Sequence, residues 1–250
     1  MNTSPVISVI MPAYRCCSTI CDSIESALCQ DVPMELLVID DNDDDSMAPI
    51  RERYAGDSRV VFHKNPRNMG AAASRNRGVE LAKAPYVAFL DSDDIWKPGK
   101  IKKQLEILEQ TGAVLCCTAR ELMTPEGTPT GRVLPVAPEI SYKRLLRHNA
   151  ISCSSVVIRT EAMRGCPMAH EDSHEDYIAW LKILREHGSA RGINEPLLLY
   201  RLSNTGKSGS KLKSAKMTYT AYRYVGFSVP RSVLYFCSYA INGALKYLRA

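Results

Sequence analysis

The first half of the chain alternates short apolar runs with stretches whose apolar residues recur every three or four positions. The runs at 6–11, 36–39, 60–62, 86–90 and 113–116 are β-branched, aliphatic or aromatic. They are too short for helices and read as buried strands. Between them, Ile20, Ile24, Ala27 and Leu28 share one helical face, with Ser18 or Thr19 as its cap. Residues 72–82 are rich in helix formers, and Ile101, Leu105 and Leu108 line a third helix. Pro98 sits near the start of that helix and Gly112 where it stops. This rhythm predicts an α/β fold, a mostly parallel central sheet with helices on both faces. Ligands of such sheets bind beyond the carboxyl ends of the strands.

After Gly112 the rhythm loosens. Residues 124–138, rich in Pro, Gly and Thr, read as a loop. A helix near 142–148, a strand at 155–158, a helix over 175–187 and a short strand at 197–200 follow. No repeat or linker separates independent units. The expected layout is two halves of one α/β unit, 1–112 and 113–200, with a basic helical extension over 201–250.

Composition narrows the class. The chain has 250 residues, 45% apolar and 24% charged, which is ordinary for a globular protein. No apolar run approaches the roughly 18 residues of a membrane span. Residues 1–5 lack the basic start and apolar core of an export signal. Nine cysteines without a C-x-x-C pair fit reduced, mostly buried thiols in a cytoplasmic protein. The net charge of +5 is unevenly spread: residues 197–250 carry nine Lys/Arg and no acid, and residues 31–45 carry seven acids and no base. One end is therefore expected to face an anionic surface, and a carboxylate-rich site to lie elsewhere.

The chemistry gathers where strands end. The first runs into Pro12-Ala-Tyr14, the second into Asp40-Asp41-Asn42-Asp43-Asp44-Asp45, and the fourth into Asp91-Ser92-Asp93-Asp94. Crowded carboxylates repel one another and are costly to desolvate without a cation. Mg²⁺ or Mn²⁺, which binds carboxylate and diphosphate oxygens together, is the natural partner. Asp43–Asp45 read as a merely soluble turn; Asp91–Asp94, between an apolar strand and Trp96, read as functional. The first glycine is Gly56, so the glycine-rich turn of dinucleotide-binding folds is missing. In Asn68-Met-Gly70-Ala-Ala-Ala-Ser-Arg75-Asn76-Arg77-Gly78, either arginine could meet a phosphate, or the segment could simply pack tightly on the sheet.

Taken in order, Val-Ile-Ser-Val-Ile-Met-Pro12-Ala-Tyr14, Leu-Val-Ile-Asp40-Asp41, Asn68-x-Gly70-x5-Asn76-x-Gly78 and Phe-Leu-Asp91-Ser-Asp93-Asp94-x-Trp96 resemble the successive motifs of family 2 glycosyltransferases, which have the GT-A fold. His174-Glu175-Asp176-Tyr177-Ile-Ala-Trp180-Leu extends the match. The resemblance implies a nucleotide-sugar-binding first half and an acceptor-binding second half. Pro12 and Tyr14 would border the nucleoside, Asp41 would accept from the base, and Asp91 with Ser92 would lie near the ribose or sugar. Arg75 would join them at the donor, Asp93 would ligate Mn²⁺ or Mg²⁺, and Asp176 would be the general base, with Glu175 second and Asp172 third. A carboxylate base and a metal at the departing diphosphate suit single-displacement, inverting transfer. The implied reaction moves a hexose or N-acetylhexosamine from a UDP-sugar to a polyprenyl-diphosphate-linked saccharide in surface-polysaccharide (O-antigen or capsule) synthesis. A non-catalytic nucleotide-sugar or membrane-surface binding protein of the same fold is the alternative.

Two look-alikes lose. His170-Glu-Asp-Ser-His174 matches the zinc-protease pattern in letters, but its Cys166-Pro167 lead-in suits a loop. Gly206-Lys207-Ser208 lacks the first glycine of a phosphate-binding loop, Arg201 standing there instead. In the resembling family a histidine near the metal often follows this strand; here Ser203 takes its place, and Lys207 or Ser208 could close over the diphosphate. From Arg231 onward, Leu234, Cys237, Ser238, Ile241, Leu245 and Leu248 recur at helical spacing. That stripe suits either core packing or a peripheral membrane contact through 211–250, which would bring a cytoplasmic protein to the inner face of the cytoplasmic membrane. No nucleic-acid module is visible.

Overall fold

The five apolar runs all become strands of one sheet, and the amphipathic segments between them become helices on its faces. The structure, a computed structural model, describes residues 4–202 and 211–248. In chain order the elements are β1 (Ile7–Ala13), α1 (Ile20–Leu28), β2 (Met34–Asp40), α2 (Ala48–Tyr54), β3 (Val60–Lys64), α3 (Ala71–Leu81), β4 (Tyr86–Phe89), β5 (Ile95–Trp96) and α4 (Lys100–Thr111). Then come β6 (Leu115–Met123), β7 (Pro129–Leu134), β8 (Glu139–Ile140), α5 (Tyr142–Arg147), β9 (Val157–Arg159), α6 (Thr160–Gly165), α7 (Glu175–His187), β10 (Ala190–Arg201), α8 (Lys211–Tyr224) and α9 (Val229–Leu248). A 3-10 turn at Cys153–Ser155 leads into β9.

The sheet runs β3-β2-β1-β4-β9-β6-β10-β5, with β7 on β6 and β8 on β10. Its long pairings are parallel: β1 with β2 and β4, β2 with β3, and β6 with β10. The antiparallel ones, through β5, β7, β8 and β9, are short. Since side chains alternate across a strand, one sheet feeds two cores. Ile10, Leu37 and Phe89 pack on one face with α3, α6 and α7; Val9, Leu36 and Ala88 pack on the other with α1 and α4. Trp180 of α7 is fully buried, its ring centroid 6.0 Å from that of Phe89. Both halves of the chain share this sheet.

Several expectations change. Residues 124–138 are not one loop, because β7 folds back on β6 after a turn at Gly127 (φ +94°). β7 is an exposed edge strand, so no buried alternation marked it. The last strand starts at Ala190, well before 197; register shifts between Ile193 and Leu198, around Pro196, obscured its pattern. Helices α2 and α6, of seven and six residues, are too short to show a period. Thr19 begins α1 without capping it; its hydroxyl instead donates to the Ser92 carbonyl at 2.8 Å. Of the nine free cysteines, Cys16, Cys116, Cys117 and Cys153 are buried, while Cys17, Cys29 and Cys237 are exposed, so mostly buried overstates the case. Helix α8 is part of the core: Ala221 and Tyr222 are fully buried, and the Tyr222 hydroxyl donates to the Leu146 carbonyl at 2.6 Å.

Candidate active site

Three parallel strands, β1, β2 and β4, deliver their carboxyl ends to the same edge of the sheet. At the end of β1, Pro12 is half-buried and Tyr14 is 44% exposed. The chain then turns at Arg15, which takes a positive φ of 49° while its amide donates to Asn42 Oδ1 at 2.9 Å. Tyr14, Arg15, Cys17, Ser18, Asn42, Asp43, Asp44 and Ser46 line an open hollow of about 560 Å³. The Arg15 guanidinium lies over the Tyr14 ring at 5.1 Å.

The acids after β2 are occupied by their own chain. Asp41 is buried and accepts three hydrogen bonds, from Asn65 Nδ2 at 2.7 Å and from the Met69 and Gly70 amides, each at 2.8 Å. Its carboxylate therefore clasps the loop before α3. Asp43 accepts from the Asn68 amide at 2.9 Å, which joins the two motif segments.

The rest of the Asn-x-Gly motif is also architectural. Gly70 has φ +87°, and a Cβ there would lie 2.6 Å from Glu171 Oε1, which accepts from the Ala72 amide. Asn76 pairs both ways with the Met168 backbone, at 2.6 and 2.8 Å. Gly78 lets α3 approach Ile10, since a Cβ would come within 2.4 Å of its side chain.

Arg75 lies at the centre. Its guanidinium donates to Asp91 Oδ1 at 2.6 Å and to Glu175 Oε1 at 3.0 Å. It is buried, with both Nη groups paired to carboxylates of its own chain and Nε without a partner among the described residues. What it does is tie the end of β4 to the start of α7. Cys153, missed in the sequence, marks the same spot: its buried thiol feels Arg75, Asp91, Asp176 and Glu175 together, and burial holds it protonated well above its usual range.

Around this bridge the acids differ. Ser92 is half-buried, and its carbonyl anchors α1. Asp93 is half-buried, and no side-chain hydrogen bond reaches its carboxylate among the described residues. Burial, and then the neighbouring Asp91, push it up to about 6. Asp94 is fully inside; one oxygen accepts the Arg201 amide at 2.9 Å, and the other has no partner among the described residues. Burial and the two neighbouring aspartates push its carboxyl far above the ordinary range. Arg201 also donates to the Asp93 carbonyl at 2.7 Å, so the end of β10 fixes this turn. Ser154 contributes through its hydroxyl, which accepts from the Asp91 amide at 3.1 Å. Arg201 and Ser154 come from remote parts of the chain, and nothing local in the sequence pointed to them.

At the start of α7, Glu175 is buried on Arg75, whereas Asp176 is half-buried and accepts only the Tyr177 amide, at 2.7 Å, among the described residues. Burial, then Glu175, raise the Asp176 carboxyl. Asp172 is exposed and bonded to the Tyr224 hydroxyl at 2.8 Å, which takes it out of contention as a base. The HExxH look-alike is not a helix: His170 has φ +70° and stacks on Tyr224 at 3.5 Å. Ser203, Lys207 and Ser208 lie outside the described residues.

The donor set accommodates a divalent cation in one way only. Among the described residues no three His, Cys, Asp or Glu side chains converge as a metal cage. Asp93, short of donors and pushed up by burial and a neighbouring charge, is the carboxylate that a cation would relieve. The remaining ligands would be oxygens of a bound diphosphate and water.

Comparison with known proteins places the chain in a family. Residues 8–166 match the sequence profile of Glycosyl transferase family 2. The chain is 34% identical to the putative teichuronic acid biosynthesis glycosyltransferase TuaG of Bacillus subtilis, over 99% of each chain. It is 32% identical to the Escherichia coli UDP-Glc:alpha-D-GlcNAc-diphosphoundecaprenol beta-1,3-glucosyltransferase WfaP, over 97% of this chain and 95% of that one. Among solved structures, S. aureus TarS 1–349 in complex with UDP-GlcNAc superposes with a TM-score of 0.73 at 17% identity, covering 94% of this chain and 71% of that one.

Proposed function

The chain belongs to glycosyl transferase family 2 and has the GT-A fold, and from that premise we propose that it transfers a hexose or N-acetylhexosamine from a UDP-sugar, with inversion, to a saccharide carried on a polyprenyl diphosphate during surface-polysaccharide synthesis. The observation that carries this reading is the Arg75 bridge, because it binds the donor-side acid Asp91 and the acceptor-side acid Glu175 to one guanidinium. The two acid clusters then serve one reaction. The full-length similarity to WfaP, whose name states a UDP-glucose donor and a diphosphoundecaprenol-linked acceptor, supports the substrate class.

In this reading the nucleoside occupies the hollow beside Tyr14, with Pro12 two residues earlier at the end of β1. Asp41, next in the chain to Asn42 and Asp43 of that hollow, is the acid assigned to the base. Asp91 and Ser92 lie toward the ribose and sugar. Asp93 would hold Mn²⁺ or Mg²⁺, which when bound supplies charge stabilisation for the departing diphosphate. Asp176 takes the proton of the attacking acceptor hydroxyl, a poor nucleophile without a base. Its raised proton affinity suits that task, bringing its pKa nearer the operating pH. Glu175 and Arg75 position it and act through it. A single displacement with one base makes a β-linkage from an α-linked donor. The test is a panel of UDP-sugars offered with diphosphoprenyl-linked N-acetylhexosamine, followed by NMR assignment of the new anomeric centre. A β-linked product from one UDP-sugar is expected; an α-linked product, or UDP-sugar binding without transfer, contradicts the proposal.

A further inference from the structure

Helix α9 turns its aromatic side inward and its aliphatic side out. Tyr235 stacks on Phe227 at 5.1 Å, Phe236 meets Tyr219 edge-on at 6.3 Å, and Tyr239 lies 6.0 Å from His148, so this face rests on α8 and α5. The other face carries Val229, Val233, Leu234, Cys237 and Ile241, with Leu234 68% and Ile241 61% exposed. Of the recurrent stripe of the sequence, Leu234, Cys237 and Ile241 therefore form a ridge on the surface, while the side chains of Leu245 and Leu248 lie outside those described. Arg231 is exposed on the same helix, and α5, beneath it, exposes Lys143, Arg144 and Arg147. Residues 197–250 contain no Asp or Glu.

We propose that this ridge docks the protein on an anionic lipid bilayer, with α9 lying in the interface plane and the surrounding Lys and Arg facing lipid headgroups. An aliphatic ridge on a basic segment free of acids is the pattern that such a surface takes up. A second copy of the chain fits worse, since it would set one acid-free basic segment against another. Spanning is not the mode: among the described residues no helix is long and apolar enough to cross a membrane. The docked helix is one element away from the catalytic loop. Ser173 donates to the Met217 carbonyl of α8 at 2.8 Å, and Tyr224 of α8 holds His170 and Asp172, just before Asp176. The docking itself rests on α9. Its benefit to catalysis, bringing a lipid-linked acceptor to the site, rests on the function proposed above.

Flotation of the full chain with phosphatidylglycerol-containing vesicles, against phosphatidylcholine alone, reads the docking without donor or acceptor. Binding to the anionic vesicles is expected, weakened by salt. The double substitution Leu234→Asp with Ile241→Asp should reduce it at least about tenfold, because both aliphatic anchors are lost. Melting temperature and transfer to a water-soluble acceptor should stay at the parent values, which separates a failure of docking from a failure of the active site. No affinity for anionic vesicles, or affinity unchanged in the double variant, overturns the proposal. So does a parent dimer that the double variant converts to monomer, which would give the ridge to a second copy.

Discussion

Two acid-rich loops leave the same edge of the sheet and meet opposite fates. After β2, each buried acid has amides or cations set against it: Asp41 accepts three hydrogen bonds, and Asp40, whose Oδ2 is buried without a hydrogen bond among the described residues, lies 3.6 Å from Arg51 and 3.7 Å from Lys64. After β4 the acids crowd together: burial and Asp91 push Asp93 up, burial with Asp91 and Asp93 pushes Asp94 up, and one oxygen of Asp94 is unpartnered among the described residues. Carboxylates saturated by N–H groups hold a loop in place. Carboxylates desolvated without enough donors are poised for a cation or a proton. Acid density alone does not distinguish them; the amides, cations and acids set against each carboxylate do.

The sharpest way to break this contrast is to neutralise one acid from each loop. Asp93→Asn should lower transfer by roughly 10²–10³-fold, the scale of losing a metal's charge stabilisation, measured as initial rates with saturating Mn²⁺. The same change should stabilise the ligand-free chain above pH 7, since it removes a charge that burial penalises. Activity within a few-fold of the parent would break the assignment.

Arg75→Lys comes next. A lysine offers a point charge where a planar fork now spans Asp91 and Glu175. A loss of about 10–100-fold in kcat is expected, since misplacing a reacting group by about an ångström costs that much. Donor KM should change little, because both Nη groups already serve the chain's own acids. A rise in donor KM with kcat intact would return Arg75 to the phosphate.

Asp41→Asn reverses the pattern. The clasp on the Met69 and Gly70 amides weakens, and unfolding in urea should show a loss of about 2 kcal/mol, the scale of charge-assisted hydrogen bonds left unmade. Transfer by the folded protein should fall less than it does in Asp93→Asn. Equal losses in both would erase the distinction between the loops.

The smallest expected effect is on stability against pH. The folded-state pKa of Asp93, about 6, lies above its ordinary value. The folded chain therefore binds this proton more tightly than the unfolded one, so the contribution is full in acid and is lost as pH rises through about 6. Stabilisation by Mn²⁺ with UDP should accordingly be larger well above pH 6 than below it, because the proton competes for the same carboxylate. Differential scanning fluorimetry across that range reads this directly; a pH-independent shift would exclude Asp93.

Much of this was legible in the chain itself. β1, β2 and β4 were visible as apolar runs, and their polar ends named Tyr14, Asp91 and Asp93 because strand ends of a parallel sheet converge by topology. The start of α7 at Glu175 was legible from helical spacing and acids at the dipole's positive end. Arg75 was visible but its partners Asp91 and Glu175 were not, because spacing does not tell which group a guanidinium meets. Ser154, Cys153 and Arg201 were not legible, since each reaches the site across a long stretch of chain. The α9 stripe showed its period and not its side: periodicity finds a face, and the aromatic residues next to it decided which face turned inward.

The most direct measurement is single-turnover transfer by Asp176→Asn, with UDP-sugar affinity measured in parallel by calorimetry. If Asp176 is the base beside a donor site fixed by Asp91 and Asp93, the rate falls by roughly 10²–10⁴-fold while donor affinity stays within about twofold. A rate within tenfold of the parent, or donor binding lost along with it, would contradict the account.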